Sequence, residues 1–334
     1  MRVRPDGPSH RLGPDRAYAR TVTQQDTPTT TAPREGSGLP YGIGAYLCWG
    51  LFPLYWPLLE PAGPLEVLAH RIVWSLVFVL VLIAATRRWG RFRDIARDRT
   101  LMLFLALASV TIALNWGGFI WGVTNGHVIE TSLGYFINPL VTVLLGVFVL
   151  KETLRPAQWA AVGIGFVAVV VLTVDYGRLP WIALLVAGSF ATYGFLKKRA
   201  SLGAFEGLGM ETLILAPVAV AFLVVLQLRG DLTFGHAGAA NATLLVGTGV
   251  VTAIPLLMFG AAATRLSLTT IGLLQYLGPF LQFLLGLFVF DEAMSTARWI
   301  GFALVWSALV IFTIDAIGNR RRILRQTATN AEAC

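Results

Sequence analysis

Hydrophobic residues along this chain are grouped into long runs of about 20 residues, separated by short polar connections. A bilayer core of about 30 Å needs roughly 20 apolar residues in an α-helix to cross it. The pattern therefore predicts an all-α membrane protein with ten transmembrane helices. We place these spans at residues 40–59, 65–86, 100–123, 128–150, 156–174, 180–196, 206–228, 241–264, 268–290 and 296–317.

The polar segments that flank these runs differ in character. Residues 1–39 are rich in Thr, Pro and Gly and show no apolar face. Such a segment cannot bury enough surface to offset its chain entropy, so we expect a disordered N-terminal tail. Residues 319–334 form a basic C-terminal tail.

Composition excludes an ordinary soluble protein. Hydrophobic residues make up 56% of the 334-residue chain and charged residues only 13%, with a mean hydropathy of +0.69. Soluble domains average about 25% charged residues. The sequence contains no catalytic or metal-ligand motif, so we expect a protein that is not an enzyme and that needs no metal or organic cofactor.

The positive charges indicate membrane topology and not nucleic-acid binding, despite the net charge of +8. With both termini inside, 22 of the 26 Lys and Arg residues lie on the inner side and three on the outer side. Cytoplasmic loops of membrane proteins carry such an excess. We therefore expect a protein of the cytoplasmic membrane with both termini in the cytoplasm.

The chain contains an internal repeat. Shifted by 140 positions, residues 132–159 align without a gap over residues 272–299, with identities that include the pairs Pro139 with Pro279 and Glu152 with Glu292. Each half, 40–177 and 178–318, holds five predicted spans, and an odd number inverts the second half in the membrane. Inverted repeats are typical of transporters, with the substrate site between the repeats.

Several segments extend across both halves and resemble a known family. They are WGLFPLYW (49–56), EVLAHRIVWS (66–75), NWGGFIW (115–121), ETSLGYFINPLV (130–141), ETLILAPVA (211–219), RLSLTTIGLLQYLGP (265–279) and FTIDAI (312–317). On these segments, residues 40–318 resemble the EamA family of the drug/metabolite transporter superfamily. The resemblance implies a ten-helix inner-membrane carrier that exports its substrate, and it does not define the cargo.

A positively charged residue, Arg71, lies within the second apolar run. Arg71 has a high cost of burial in a bilayer unless it faces the protein interior and finds a partner. One interpretation is a brace that bonds helix carbonyls, Asn138 or Glu130; a second is an anchor for a carboxylate of the substrate; a third is snorkelling to the headgroups.

Other polar groups are predicted at the same depth in the outer half of the bilayer. Tyr135 and Asn138 share a helix face, and Asn115 and Trp116 lie near the outer end of the third span. Gln275 corresponds to Tyr135 under the 140-residue shift. The predicted substrate site therefore comprises Arg71, Asn115, Trp116, Tyr135, Asn138 and Gln275.

Two titratable residues are candidates for proton coupling. His70 has an ordinary pKa near neutral and can be oriented by Glu66 one turn away, although a lone His is also commonly just hydrogen-bonded. Glu211 corresponds to Arg71 in the repeat. It is either a proton carrier or half of a salt bridge at an inner gate, with Arg265 or Lys198.

Two prolines are predicted near the bilayer midplane. Pro139 and Pro279 each remove a backbone donor and clash with the preceding turn, so each is expected to kink its helix, as a hinge or as part of a cavity wall.

These features together predict a secondary-active transporter that works by alternating access. Its substrate would be a small polar metabolite or an amphiphilic drug, chloramphenicol-like or amino-acid-like. Its expected partners are the lipid bilayer and that small molecule, with no nucleic acid, and a monomer and a homodimer are both compatible with the sequence. The alternatives are a membrane sensor that binds ligand without transport and a lipid-handling membrane protein.

Overall fold

The structure is a computed structural model that describes residues 38–87, 89–151, 153–200, 202, 204–263, 265–266 and 268–332. These residues form α-helices joined by short connections, and no strand occurs among them. The first half contains α1 (Leu39–Tyr55), α2 (Pro64–Ala85), α3 (Trp89–Arg97), α4 (Arg99–Thr124), α5 (Val128–Leu150) and α6 (Pro156–Tyr176), with a 3-10 turn at Trp56–Leu59 after α1. The second half contains α7 (Trp181–Ala200), α8 (Ala204–Arg229), α9 (Gly238–Ala263), α10 (Leu268–Leu274), α11 (Leu277–Phe288) and α12 (Thr296–Glu332).

Eight helical segments of the described chain are long and apolar enough to cross a membrane. They comprise α1 with its 3-10 turn, α2, α4, α5, α6, α8, α9 and the first part of α12, through Gly318. Two shorter apolar helices, Trp181–Lys197 within α7 and Leu277–Phe288, complete the predicted set of apolar segments. The all-α membrane fold is therefore confirmed, whereas the count of ten crossings goes beyond these lengths.

Prolines and glycines account for many helix ends. Pro64 and Pro156 stand at the first position of α2 and α6, where a missing N–H costs nothing because that donor has no intrahelical acceptor. Gly177 ends α6 with φ +62°, in the left-handed conformation that glycine adopts without strain.

The helix α3 was not predicted, because we treated residues 87–99 as a basic loop. Its apolar residues Phe92 and Ile95 are buried in the same hydrophobic cluster as Leu208 and Met210 of α8. They lie three residues apart, on one face of an otherwise charged helix, and that spacing is the signal that the sequence analysis overlooked.

The predicted ninth span divides into two helices. The interruption falls at Gln275 and Tyr276, between α10 and α11. Pro279 lies four residues after Gln275, and a proline ring clashes with the carbonyl at that distance. In contrast, α5 runs without interruption through Pro139.

The predicted disordered tail, residues 1–39, lies outside the described residues except for its last two positions. The last of these, Leu39, already begins α1. At the other end, α12 continues through the predicted C-terminal tail as far as Glu332.

Candidate functional site

Arg71 lies at the centre of the helix bundle. Its side chain is 4% exposed, and its Nε donates a hydrogen bond to Thr252 Oγ1 of α9 at 2.9 Å. The guanidinium carbon lies 4.0 Å from the centroid of the Trp116 ring, 5.2 Å from that of Trp56 and 5.6 Å from that of Phe52. The charge is therefore held among aromatic ring faces, which attract cations through their quadrupoles.

The carboxylate proposed as a brace for Arg71 has another partner. Glu130 pairs with Arg178, with Nη2 and Oε2 2.8 Å apart, and it also accepts the N–H of Ile182 at 3.1 Å. Asn138, the second proposed brace, donates through Nδ2 to the carbonyl of Ala187 at 3.1 Å. Among the described residues, Arg71 has no carboxylate within ion-pair distance.

We call the surroundings of the guanidinium, formed by Phe52, Trp56, Trp116 and Thr252, the Arg71 cage. A hydrogen-bonded pair lies beside this cage. The Tyr135 hydroxyl donates to Asn115 Oδ1 at 3.1 Å, and Asn115 Nδ2 donates to the carbonyl of Val186 at 3.0 Å. The structure thus brings Arg71, Asn115, Trp116 and Tyr135 together, on helices α2, α4 and α5.

No hydrogen bond among the described residues joins Gln275 to this cluster. It occupies the break between α10 and α11, where its backbone N–H bonds the carbonyl of Ile271 at 3.0 Å and its side chain bonds Tyr276. Pro279 is buried in α11, while Pro139 is half-buried in α5.

Three residues of the Arg71 cage were missed in the sequence analysis: Phe52, Trp56 and Thr252. Phe52 and Trp56 lie within the quoted segment WGLFPLYW, and their spacing of four residues was an available signal. Thr252 is 181 residues from Arg71, and no local pattern indicates that contact.

His70 faces away from the cage. Its Nδ1 accepts a hydrogen bond from Trp74 Nε1 at 3.2 Å, and its ring lies 4.8 Å from that of Phe234 in the connection between α8 and α9. Glu66 Oε1 is 3.8 Å from His70 Nε2, but the same oxygen also accepts the N–H and the hydroxyl of Thr233, at 2.9 and 2.8 Å. Glu66 therefore ties α2 to this connection as well as facing His70.

Glu211 is 1% exposed and lies in a second polar cluster, between α7 and α8. Its Oε1 is 2.9 Å from Lys197 Nζ, and its Oε2 accepts the Tyr193 hydroxyl at 3.1 Å. Glu211 thus forms an ion pair, as one of the two interpretations predicted, and its partner among the described side chains is Lys197. Tyr193 and Lys197 are four residues apart and therefore lie on the same face of α7, so both side chains reach Glu211.

Known proteins resemble this chain over most of its length. The EamA-like transporter family matches residues 36–174. The Protein RarD of Streptomyces exfoliatus is 54% identical over 86% of this chain and 91% of that protein, and that of Escherichia coli K12 is 40% identical over 85% and 96%. The uncharacterized transporter YojE of Bacillus subtilis is 42% identical over 85% of this chain and 96% of that protein.

A solved crystal structure also shares the fold. It aligns with a TM-score of 0.54 at 20% identity, over 83% of this chain and 98% of its own. Because the sequence relatives match nearly end to end at high identity, the chain belongs to the EamA-like transporter family, where its relatives include the RarD proteins.

Proposed function

We propose that this membrane transporter is a secondary-active exporter with ten transmembrane helices in two inverted repeats. Alternating access between the repeats would move a small polar metabolite or amphiphilic molecule out of the cell. The substrate would carry an anionic group that Arg71 binds. His70 and Glu211 are the candidates for coupling to protons.

The observation that carries the proposal is a reciprocal pair of contacts between α6 and α12. Arg155, just before α6, bonds Asp315 of α12 through Nε, 2.9 Å from Oδ2. Ser295, just before α12, bonds Asp175 of α6, with Oγ 2.5 Å from Oδ1. The 140-residue shift converts each pair into the other. A pseudo-two-fold axis between antiparallel helices produces such an exchange.

Helix packing supports the same symmetry. Helix α1 packs on α9 and α11, and its counterpart α7 packs on α4 and α5, the counterparts of those two helices. The corresponding helices α2 and α8 also pack on each other, as do α6 and α12. Each half therefore completes the other, as expected for the two moving parts of an inverted-repeat carrier.

The environment of Arg71 supports an anionic substrate. Two of the groups predicted to brace its guanidinium, Glu130 and Asn138, bond elsewhere, and Thr252 accepts a hydrogen bond from its Nε only. A buried guanidinium beside aromatic faces and the Tyr135 hydroxyl can bind a carboxylate bidentately with little competition from water. The rings would also contact an apolar part of the same molecule, which suits an amphiphilic substrate.

A ligand screen on the purified protein tests this function. Thermal stability is measured with amino acids, organic anions and chloramphenicol-like drugs, for the parent, Arg71→Gln and the control Arg155→Gln. A ligand at 100 times its Kd stabilises the folded state by about 2.7 kcal/mol. We expect anionic compounds to stabilise the parent and the control but not Arg71→Gln. An equal response of all three proteins would assign Arg71 a bracing role.

Flux separates transport from binding alone. The stabilising compound is loaded into proteoliposomes and its exit is followed with and without an inward proton gradient, for the parent, His70→Gln and Glu211→Gln. We expect the gradient to accelerate exit in the parent, and Glu211→Gln to lose this acceleration. Binding without flux would identify a sensor, and an unchanged gradient response in Glu211→Gln would exclude its coupling role.

A further inference from the structure

The connection between α11 and α12 reaches the beginning of α5. The carboxylate of Glu292 accepts the backbone N–H groups of Val128 and Ile129, the second with Oε2 3.1 Å from the nitrogen. The first N–H groups of a helix have no intrahelical acceptor, and the helix dipole favours negative charge there. A residue of the second half therefore caps a helix of the first half.

The helices beside this cap approach each other closely. A Cβ atom at Gly286 of α11 would lie 2.6 Å from Ile129 Cγ1 and 3.2 Å from Ile129 N. Any larger residue would push the beginning of α5 away from α11. The Glu292 backbone N–H bonds the carbonyl of Gly286 at 3.0 Å, so the cap and the close approach belong to one local structure.

We propose that Glu292 is a gating residue: it closes one surface of the transporter by binding the first turn of α5, and it returns to water when that surface opens. The inference rests on the proposed alternating access between the two halves. The charge distribution predicts that this surface is the outer one. Glu292 would thus be a positioning residue that acts on the gate and not on the substrate.

Proton binding accompanies this closure. Burial raises the pKa of Glu292 from its ordinary 4.5 to about 7, although the two N–H donors lower it. The charged and titratable groups that face it are Arg298 of α12, Glu130 of α5 and Tyr176 of α6, with His127 next to Val128. Arg298 is itself bonded to Asp175, and its attraction only partly offsets burial.

The sign of the pH effect follows from linkage. A group whose pKa is higher in the closed form than in water takes up a proton as the gate closes. Acidification from pH 8 to pH 6 should therefore favour closure. With values of 4.5 in water and about 7 when closed, the ratio of closed to open molecules should rise about tenfold.

A distance measurement across the gate tests the proposal. Spin labels are attached at Asn125→Cys and Thr296→Cys, both exposed positions at the ends of the facing connections, after Cys48→Ser and Cys334→Ser. Pulsed electron paramagnetic resonance on the full chain in lipid nanodiscs then gives the distances between the labels, and from them the closed and open populations at pH 8 and pH 6. In the parent, we expect the ratio of closed to open molecules to rise roughly tenfold from pH 8 to pH 6.

Three variants identify the responsible group. Glu292→Gln, neutral at both pH values, should keep the closed population high and independent of pH. Glu292→Ala, which lacks the acceptor, should be shifted to the open distance at both. The control Asp291→Asn, an exposed acid next in the chain, should respond like the parent.

Several results would overturn the proposal. They are a single unchanging distance in the parent, a pH response that survives in Glu292→Gln, or a Glu292→Ala population as closed as that of Glu292→Gln. Size-exclusion behaviour checks that each variant folds, and Gly286→Ala gives a second test because it should open the same contact without removing the carboxyl.

The measurement needs neither substrate nor flux. A Glu292-dependent distance change in a protein that transports nothing would therefore support the gate and reject the proposed function. Transport with distances insensitive to Glu292 would reject the gate alone.

Discussion

At the scale of single residues, the hydroxyl of Thr252 is the polar partner of the Arg71 Nε atom in the bundle interior. Loss of a partner leaves a buried donor unsatisfied, which costs about 1–3 kcal/mol and more for a charged group. We therefore expect Thr252→Val to lower the free energy of unfolding by at least that amount. Thermal or denaturant unfolding in detergent measures the change.

A threonine one turn away provides the matched control. Thr248 is also fully buried in α9, but its hydroxyl bonds only the carbonyl of Leu245 in the same helix. Thr248→Val should cost far less than Thr252→Val. Equal losses would mean that the hydroxyl of Thr252 contributes nothing specific to Arg71.

The Lys197–Glu211 pair depends on a glycine. A Cβ atom at Gly207 would lie 2.0 Å from Lys197 Nζ, so in Gly207→Ala the ammonium must shift from its position beside Glu211, and we expect the ion pair to break. The carboxylate would then remain buried without its counter-charge, at a cost of roughly 1–3 kcal/mol. We expect lower thermal stability in this variant.

The control for this prediction is Gly188→Ala in α7, where an added Cβ meets nothing within 4 Å. Replacing a helical glycine by alanine in open space stabilises by roughly 0.5–1 kcal/mol. If both variants gained stability, the ammonium would have another way to reach Glu211.

At the scale of elements, sequence predicts the long helices well and their interruptions poorly. The predicted spans 128–150 and 65–86 agree with α5 and α2 within one residue, because apolar runs with proline or short polar borders define them. A kink was predicted at both Pro139 and Pro279, yet a break in the helix occurs only before Pro279, and α5 is continuous through Pro139. The same proline thus has different effects in different surroundings, which a sequence does not specify.

The contact between α2 and α9 includes a glycine that lies directly against backbone atoms. A Cβ atom at Gly249 would lie 2.4 Å from the backbone oxygen of Trp74 and 2.9 Å from the nitrogen of Ser75. Backbone atoms cannot swing aside as a side chain does. Gly249→Ala should therefore separate the two helices and lower the free energy of unfolding by about 1–3 kcal/mol.

The same substitution should also weaken ligand binding, because Thr252 follows Gly249 by one turn and contacts Arg71. Gly163→Ala in α6 is the control, with nothing within 4 Å of the added Cβ. Unfolding and ligand-induced stabilisation are measured on both variants. A Gly249→Ala protein as stable as the control would show that α2 and α9 can separate at no cost.

At the scale of the whole molecule, the site was harder to predict than the fold. Helical depth predicted that Arg71, Asn115, Trp116 and Tyr135 lie at one level, and the structure places them near one another on adjacent helices. Depth alone does not give the direction in which a side chain leaves its helix. The orientation of His70 toward Phe234 and away from the cage could therefore not be predicted from depth. Contacts between halves, such as Arg71 with Thr252, depend on packing that no local pattern encodes.

The number of membrane crossings is a property of the whole chain. Contacts at one surface join Glu66 to Thr233, and Glu292 to Val128. Ten crossings would put the connections that contain or adjoin these residues on one side of the membrane. The charge distribution predicts that this side is the outer one. If α7 did not cross, the connection between α8 and α9 would lie on the side opposite Asn125.

Single cysteines at Asn125, His236 and Thr296, in the background without native cysteines, test this count. A membrane-impermeant maleimide applied to intact cells should label all three, since each lies in a connection on the predicted outer side. A cysteine at Thr153, between α5 and α6, should react only after the cells are permeabilised. Labelling of Asn125 but not His236 would show that α7 does not cross, and the inverted symmetry of the second half would then be lost.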